Sequence, residues 1–200
     1  GFEWQSNYED LKKHIEKEDT RERSAPSYID QVAKTIKERQ GTYAHPPDNL
    51  DVWVVFPGAE EGLMLGMREW LRAHRRDLDP RRTFFVNVDT VGNGEVRFIT
   101  REGFVVLSRH DRRLVEISQA IADSEEAPAA QPHVLRLGTD GVIPLTRGFP
   151  SITVCSLDEN DRAPNRHRHS DTPDHVEPAA VDRATNFVEE LVRRIGRELV

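Results

Sequence analysis

Val52-Trp-Val-Val-Phe-Pro-Gly-Ala-Glu-Glu-Gly62 is the stretch on which the reading of this chain turns. Val52 to Phe56 form an unbroken run of large apolar residues, the pattern of a strand buried on both faces. Pro57 and Gly58 break the run, Glu60 and Glu61 follow, and a helical pattern begins at Leu63. A strand, then a loop carrying acids, then a helix places those acids where open α/β sheets bind ligands, just beyond the carboxyl ends of strands. Neighbouring side chains diverge there, so one glutamate can bind a metal while the next faces water or substrate. The same pair also suits a solvated helix start, where the dipole favours negative charge.

Downstream, the pattern of a strand ending at an acid recurs. Thr83-Phe-Phe-Val-Asn-Val-Asp89 reads as a second buried strand, and Gly92-Asn-Gly94 as a turn. Glu95 to Thr100 alternates like a strand paired with it in a hairpin. Leu114, Ile117, Ser118 and Ile121 mark a helix, and Glu125 to Pro132 reads as a linker. Val134 to Leu137 is a short strand leading to Gly138-Thr-Asp140. Ser151 to Cys155 is another, and it opens into a polar loop, Asp158 to His175, holding His167, His169, Asp171 and His175. Val181, Ala184, Val188, Leu191, Ile195 and Leu199 trace a closing helix after Pro178. Upstream, Tyr8, Leu11 and Ile15 share one helical face, Tyr28, Val32 and Ile36 another, and Gly41 to Asn49 is a loop. Strands alternating with helices predict an α/β fold, a three-layer sandwich whose mixed, mostly parallel sheet is flanked by helices. The expected organisation is a single domain over 1–200, with a helical part at 1–50 and the core at 51–200.

Bulk properties narrow the function. Two hundred residues bury a sizeable core unaided, and a net charge of −7 argues against a nucleic-acid partner. Arg75-Arg76 and Arg81-Arg82 read as a solvated helix end and the loop after it. The single cysteine, Cys155, lies inside an apolar run and reads as a small core residue. It excludes an internal disulfide and a Cys-rich zinc site. No apolar stretch approaches membrane-spanning length. The chain opens at Gly1 in mid-pattern, which suits an excised domain or an extracytoplasmic protein, and compartment and oligomeric state are not read from it. Carboxylates gathered with imidazole, and no thiolate, suit a hydrolytic zinc site.

Four segments occur in a telling order: Val-Phe-Pro-Gly-Ala-Glu-Glu-Gly-Leu-Met-Leu-Gly (55–66), Val-Asn-Val-Asp-Thr-Val-Gly (86–92), Gly-Thr-Asp (138–140) with Arg-Gly-Phe-Pro-Ser-Ile (147–152), and His-Arg-His-Ser-Asp-Thr-Pro-Asp (167–174). Together they resemble the zinc aminopeptidases, the family that also includes the glutaminyl cyclases, from about Asp51 onward. The resemblance implies one or two zinc ions per chain and a peptide substrate that loses its N-terminal residue. It makes Glu60 the general base, and Glu61, Asp89 and His167 metal ligands. The family's histidine lies four residues before an Asp-Thr pair, which selects His167 over His169. Asp140 and Asp171 become candidates for orienting a ligand or fixing the loop. The family's two earlier ligand motifs are not matched; His14-Ile-Glu16 and Asp30-Gln31 are the nearest spellings. A metal-free domain of the same fold, acting as a binding or assembly module, is therefore the alternative expectation, and cyclisation of N-terminal glutamine a narrower third.

Overall fold

The computed structural model describes residues 47–124 and 129–200. The expected helical faces at Tyr8–Ile15 and Tyr28–Ile36, with His14 and Asp30, lie outside the described residues, as does most of the Gly41–Asn49 loop. In chain order the elements are α1 (Leu65–His74), β1 (Phe85–Val88), β2 (Glu95–Glu102), β3 (Ser108–Arg109), α2 (Arg112–Ala122), β4 (Ala130–Leu135), α3 (Val142–Thr146), β5 (Ser151–Leu157) and α4 (Pro178–Leu199). A single 3-10 turn, Pro173–His175, precedes α4. All belong to one unit, Pro46–Val200.

The sheet is mixed, and β5 and β2 form its middle. β1 runs parallel to β5, with Phe85 opposite Ser151 and Val88 opposite Val154. β5 pairs antiparallel with β2, Glu95 opposite Leu157. β2 in turn pairs parallel with β4 and antiparallel with β3. Because β5 lies between β1 and β2, the turn at Gly92-Asn-Gly94 joins strands that are not neighbours, and the expected hairpin is not formed. A short turn does not oblige adjacent strands to pair when a third strand offers both of them longer ladders. Ala130–Pro132, expected as linker, starts β4 instead.

Alternation along β2 and β5 builds the layers. Val96, Phe98, Ile152 and Val154 point to one face, where α2 supplies Leu114, Ile117 and Ile121 and α4 supplies Ala184, Phe187, Leu191 and Ile195. Phe98 and Phe187 stack with ring centroids 6.2 Å apart. On the other side, α1 and α3 bury Met67, Leu71 and Ile143 with Met64 and Phe149, while Ile99, Cys155 and Leu157 form a smaller cluster. Local chemistry fixes the helix starts. Asp111 caps α2 by accepting from the Arg113 and Leu114 amides. Pro178, whose missing N–H costs nothing in a first turn, opens α4.

The opening stretch departs from its expected form. Val52–Phe56 joins no ladder among the described residues, and Val52, Trp53, Val54 and Phe56 are exposed, Phe56 to 65%. An apolar run becomes a strand only where neighbouring backbone groups complete its hydrogen bonds, and in the described sheet β1 bonds to β5 alone. Trp53 instead stands edge-on to Trp70 and His74 of α1. Truncating the stacked core pair tests the layer assignment: Phe98→Ala is expected to cost about 3–5 kcal/mol in urea unfolding. The same change at exposed Phe56 is expected to cost less than about 0.5 kcal/mol.

Candidate active site

Glu60 and Glu61 sit in a tight loop instead of at a strand end. The Met64, Leu65 and Gly66 amides bond back to the carbonyls of Glu60, Ala59 and Gly58. This fold-back needs Gly66, because a Cβ there would come within 2.1 Å of the Gly58 carbonyl oxygen. Asp89 follows β1 directly, its amide extending the ladder to the Val154 carbonyl at 3.0 Å. His167 comes from the loop after β5, whose backbone is fixed by bonds from Arg168 N–H to the Asn165 carbonyl and from Asp171 N–H to the Arg168 carbonyl. Asp140 arrives by another path. β2 and β4 run against β1 and β5, so the segment after β4 crosses the sheet face instead of leaving a shared edge. A Cβ on Gly141 would lie 2.4 Å from the Thr153 hydroxyl, so the approach to the sheet there also requires glycine.

The closest meeting is between residues 106 positions apart: His167 Nε2 and Glu61 Oε1 are separated by 2.5 Å. The Arg166 guanidinium stands 3.6 Å from the same carboxylate oxygen. The His167 hydrogen bond is the main influence holding the Glu61 carboxyl below its usual range, with Arg166 adding to it. Glu60 moves the other way. Partial burial raises its pKa, and repulsion from Asp89, Glu61 and Asp140 raises it further, against the pull of Arg166. Asp89 is raised mainly by burial, with Arg166 opposing and Glu102 and Glu61 adding repulsion. Burial and then Asp89 push Asp140 up to about 6. Its buried Oδ1 has no hydrogen-bond partner among the described residues.

These acids are therefore close enough to repel one another, and a cation is what such a set accommodates. The donors fit zinc in kind, as carboxylate and imidazole, with Glu61 and His167 as a preformed pair and Asp89 as the nearby third. In number they fall short: among the described residues no three His, Cys, Asp or Glu side chains stand as a ready ligand cage. His169 and Asp171 are exposed, and His175 Nδ1 meets the Thr172 hydroxyl at 2.9 Å. Burial pushes the Cys155 thiol up to about 12, in keeping with a core residue and not a nucleophile.

Backbone strain falls largely at the same positions, apart from Asp161 and Asn165, whose short polar side chains tolerate the left-handed region. Ala59, Leu63, Met64, Thr90 and His167 all adopt positive φ, between 49° and 64°, without being glycine. They flank the Glu60–Glu61 pair, follow Asp89, or are the ligand candidate itself. Such conformations cost on the order of 1 kcal/mol or more each and persist where packing holds a functional geometry.

A buried network behind the acids was not foreseen from sequence. Glu102, at the end of β2, accepts from the Thr139 amide and hydroxyl at 2.6 Å each, from the Thr153 hydroxyl at 2.8 Å and from His110 Nε2 at 3.0 Å. His110 Nδ1 lies 2.9 Å from the Ser151 carbonyl, which can only accept, so that nitrogen carries a hydrogen. Burial works to raise the Glu102 carboxyl, but the His110 and Thr139 hydrogen bonds outweigh it and hold it below the ordinary value. The only sequence signal for Glu102 was its place at the end of an alternating strand.

A mixed α/β sheet carrying a carboxylate–imidazole centre on strained loops is a frame suited to metal-assisted hydrolysis. The sequence profile of peptidase family M28 matches residues 25–192, and the chain belongs to that family. Among solved structures it resembles an aminopeptidase from Aneurinibacillus sp. strain AM-1, at 19% identity and TM-score 0.53, over 69% of this chain and 32% of that one. BSAP, a zinc aminopeptidase from Bacillus subtilis, is similar at 21% identity and TM-score 0.54, over 69% and 34%. LapA from Legionella pneumophila gives 16% and 0.50, over 72% and 39%. This chain thus spans about a third of the length of the first two structures. No curated protein matches it significantly.

The raised acids make a stability prediction whose sign is definite. Asp140 has a folded pKa of about 6 against about 4 when unfolded, so between these values the native state holds the extra proton. Its contribution is fully present below about pH 4 and is lost as pH rises through about 6. In chelator, the melting temperature of Asp140→Asn is expected to equal that of the original protein near pH 4 and to exceed it near pH 7.5, as read by scanning calorimetry.

Proposed function

We propose that this chain carries part of the catalytic centre of a zinc-dependent aminopeptidase-type hydrolase, removing N-terminal residues from peptides. The approach of His167 to Glu61 across 106 positions, beside a glutamate of raised pKa, supports the reading most strongly. Glu61 and His167, with Asp89, would hold the metal, which when bound supplies Lewis acidity and makes water a competent nucleophile near neutral pH. Glu60 is the general base. Its raised pKa brings its proton affinity nearer to neutrality, so it can take a proton from the attacking water and return it to the departing amine. Partial burial limits competing water at Glu60, and the adjacent Glu61 keeps its charge because His167 donates to it.

A second reading has its own support. The Arg166 guanidinium already stands beside Glu61, His167 is hydrogen-bonded to it, and among the described residues no three donors stand together as a cage. A metal-free domain of the same fold, serving as a binding or assembly module, is consistent with that internal compensation. Membrane anchorage has no support in the described helices, none of which is long and apolar enough to cross a bilayer.

Metal content and turnover separate the two. The hydrolase reading expects about one to two zinc ions per chain by elemental analysis, in line with a one- or two-metal centre, and cleavage of aminoacyl amides. Glu60→Gln is then expected to lower kcat by about 10²-fold or more with zinc retained. His167→Ala is expected to weaken zinc binding in calorimetry far more than His169→Ala; equal losses would reverse the ligand assignment. A protein that stays folded and metal-free in excess zinc, and turns over no peptide, would establish the module.

A further inference from the structure

Asp140 is the one acid of the cluster whose position is set from behind. Among the described residues no hydrogen bond holds its buried Oδ1, and the backbone on either side is what fixes its place. Thr139 precedes it and is gripped twice by Glu102, through its amide and its hydroxyl. The same hydroxyl accepts from the Gly141 amide at 3.2 Å, closing the segment around Asp140, and from Asn87 Nδ2 at 2.8 Å. Asn87 lies on β1, two residues before Asp89. Ser151 adds a bond from its hydroxyl to the Gly141 carbonyl at 3.0 Å.

Glu102 in turn is fully buried, and all of its partners are fixed elements. Thr153 belongs to β5, and His110 is tied to the β5 start through Ser151. His110 Nε2 lies 3.0 Å from Glu102 Oε2, and both side chains are 0% exposed. A buried pair with every donor and acceptor used is rigid, and breaking one partner strands a charge.

We propose that Glu102 is a positioning residue of the site, fixing Asp140 through Thr139 and thereby setting its spacing from Asp89 and Glu60. The effect on catalysis rests on the hydrolase reading; the effect on the Asp140 segment does not. Rigid linkage of this kind matters because a displacement of about 1 Å in a catalytic arrangement costs on the order of 10²-fold in rate.

Thr139 supplies the cleanest test, since Thr139→Val replaces the hydroxyl with a methyl of similar size and Thr139→Ser keeps the hydroxyl. Amide hydrogen exchange by NMR is read at residues 138–141 and at 96–98 of β2, together with kcat and KM for an aminoacyl amide in zinc-loaded protein. In the unsubstituted protein the Thr139 amide is expected to be protected like that of Phe98; exchange as fast as at exposed Val105 would overturn the proposal without any variant. In Thr139→Val, exchange at 138–141 is expected to rise by about tenfold or more while 96–98 changes by less than about twofold. Its kcat is expected to fall by about 10²-fold with KM within about twofold, and Thr139→Ser to behave as the original in every readout. An equal rise across β2, a serine variant as impaired as the valine one, or looser exchange with kcat intact would each overturn it. If the unsubstituted zinc-loaded protein cleaves nothing, the hydrolase reading falls, and the exchange pattern alone decides whether Glu102 holds Asp140.

Discussion

β5 is buried along its whole length, and that burial constrains everything around it. All seven residues from Ser151 to Leu157 are hidden, on both faces of the sheet. One face takes Ile152 and Val154 into the layer under α2 and α4. The other presents Thr153, Cys155 and Leu157, and a hydroxyl buried there must find a partner or cost about 1–3 kcal/mol. Thr153 finds Glu102, which then requires further donors, and these come from Thr139 and His110. The polar network behind the acids is thus the consequence of placing a threonine in the middle of a fully covered strand.

That requirement links architecture to electrostatics. The network anchors the segment bearing Asp140, and the Glu102 charge is also felt at Asp89, raising its proton affinity. Four carboxylates, Glu60, Glu61, Asp89 and Asp140, repel one another in partial shelter from solvent, with the Arg166 guanidinium facing them and His167 hydrogen-bonded to Glu61. Like charges at such spacing are tolerated where something balances them. Either these two side chains suffice, which is the basis of the module reading, or a cation completes the balance, which is the basis of the hydrolase reading.

Much of this was legible in the sequence, and the exceptions share a cause. The closing helix, the β1 and β5 strands and the helix over 112–122 followed from periodicity, because each owes its pattern to burial on one or two faces. Glu61 and His167 were picked out from motifs more than a hundred residues apart, and they meet. Val52–Phe56 misled because apolar content specifies a buried strand only if a partner strand is present, and no ladder forms there among the described residues. The Gly92-Asn-Gly94 turn misled for the complementary reason: local turn chemistry cannot report that β5 intervenes. Glu102 and His110 carry almost no local signature, since their significance comes from partners 37 and 51 residues away in one case and 41 in the other.

The distribution of strain bears on which residues the fold holds for chemistry and which it holds for itself. Glu102 ends β2 just after a register shift between Ile99 and Arg101, and its four hydrogen bonds to Thr139, Thr153 and His110 use both carboxylate oxygens. Ala59, Leu63, Met64, Thr90 and His167 instead occupy left-handed conformations that their side chains disfavour. Met64 is held by the core beneath α1, but Leu63 is largely exposed and His167 faces solvent, so core packing does not account for those two. What the five have in common is position: they lie beside the Glu60–Glu61 pair, directly after Asp89, or at His167, which meets Glu61. The buried network has its hydrogen bonds satisfied while the acid-bearing loops are strained, the division expected when a stable frame holds a reactive arrangement in place.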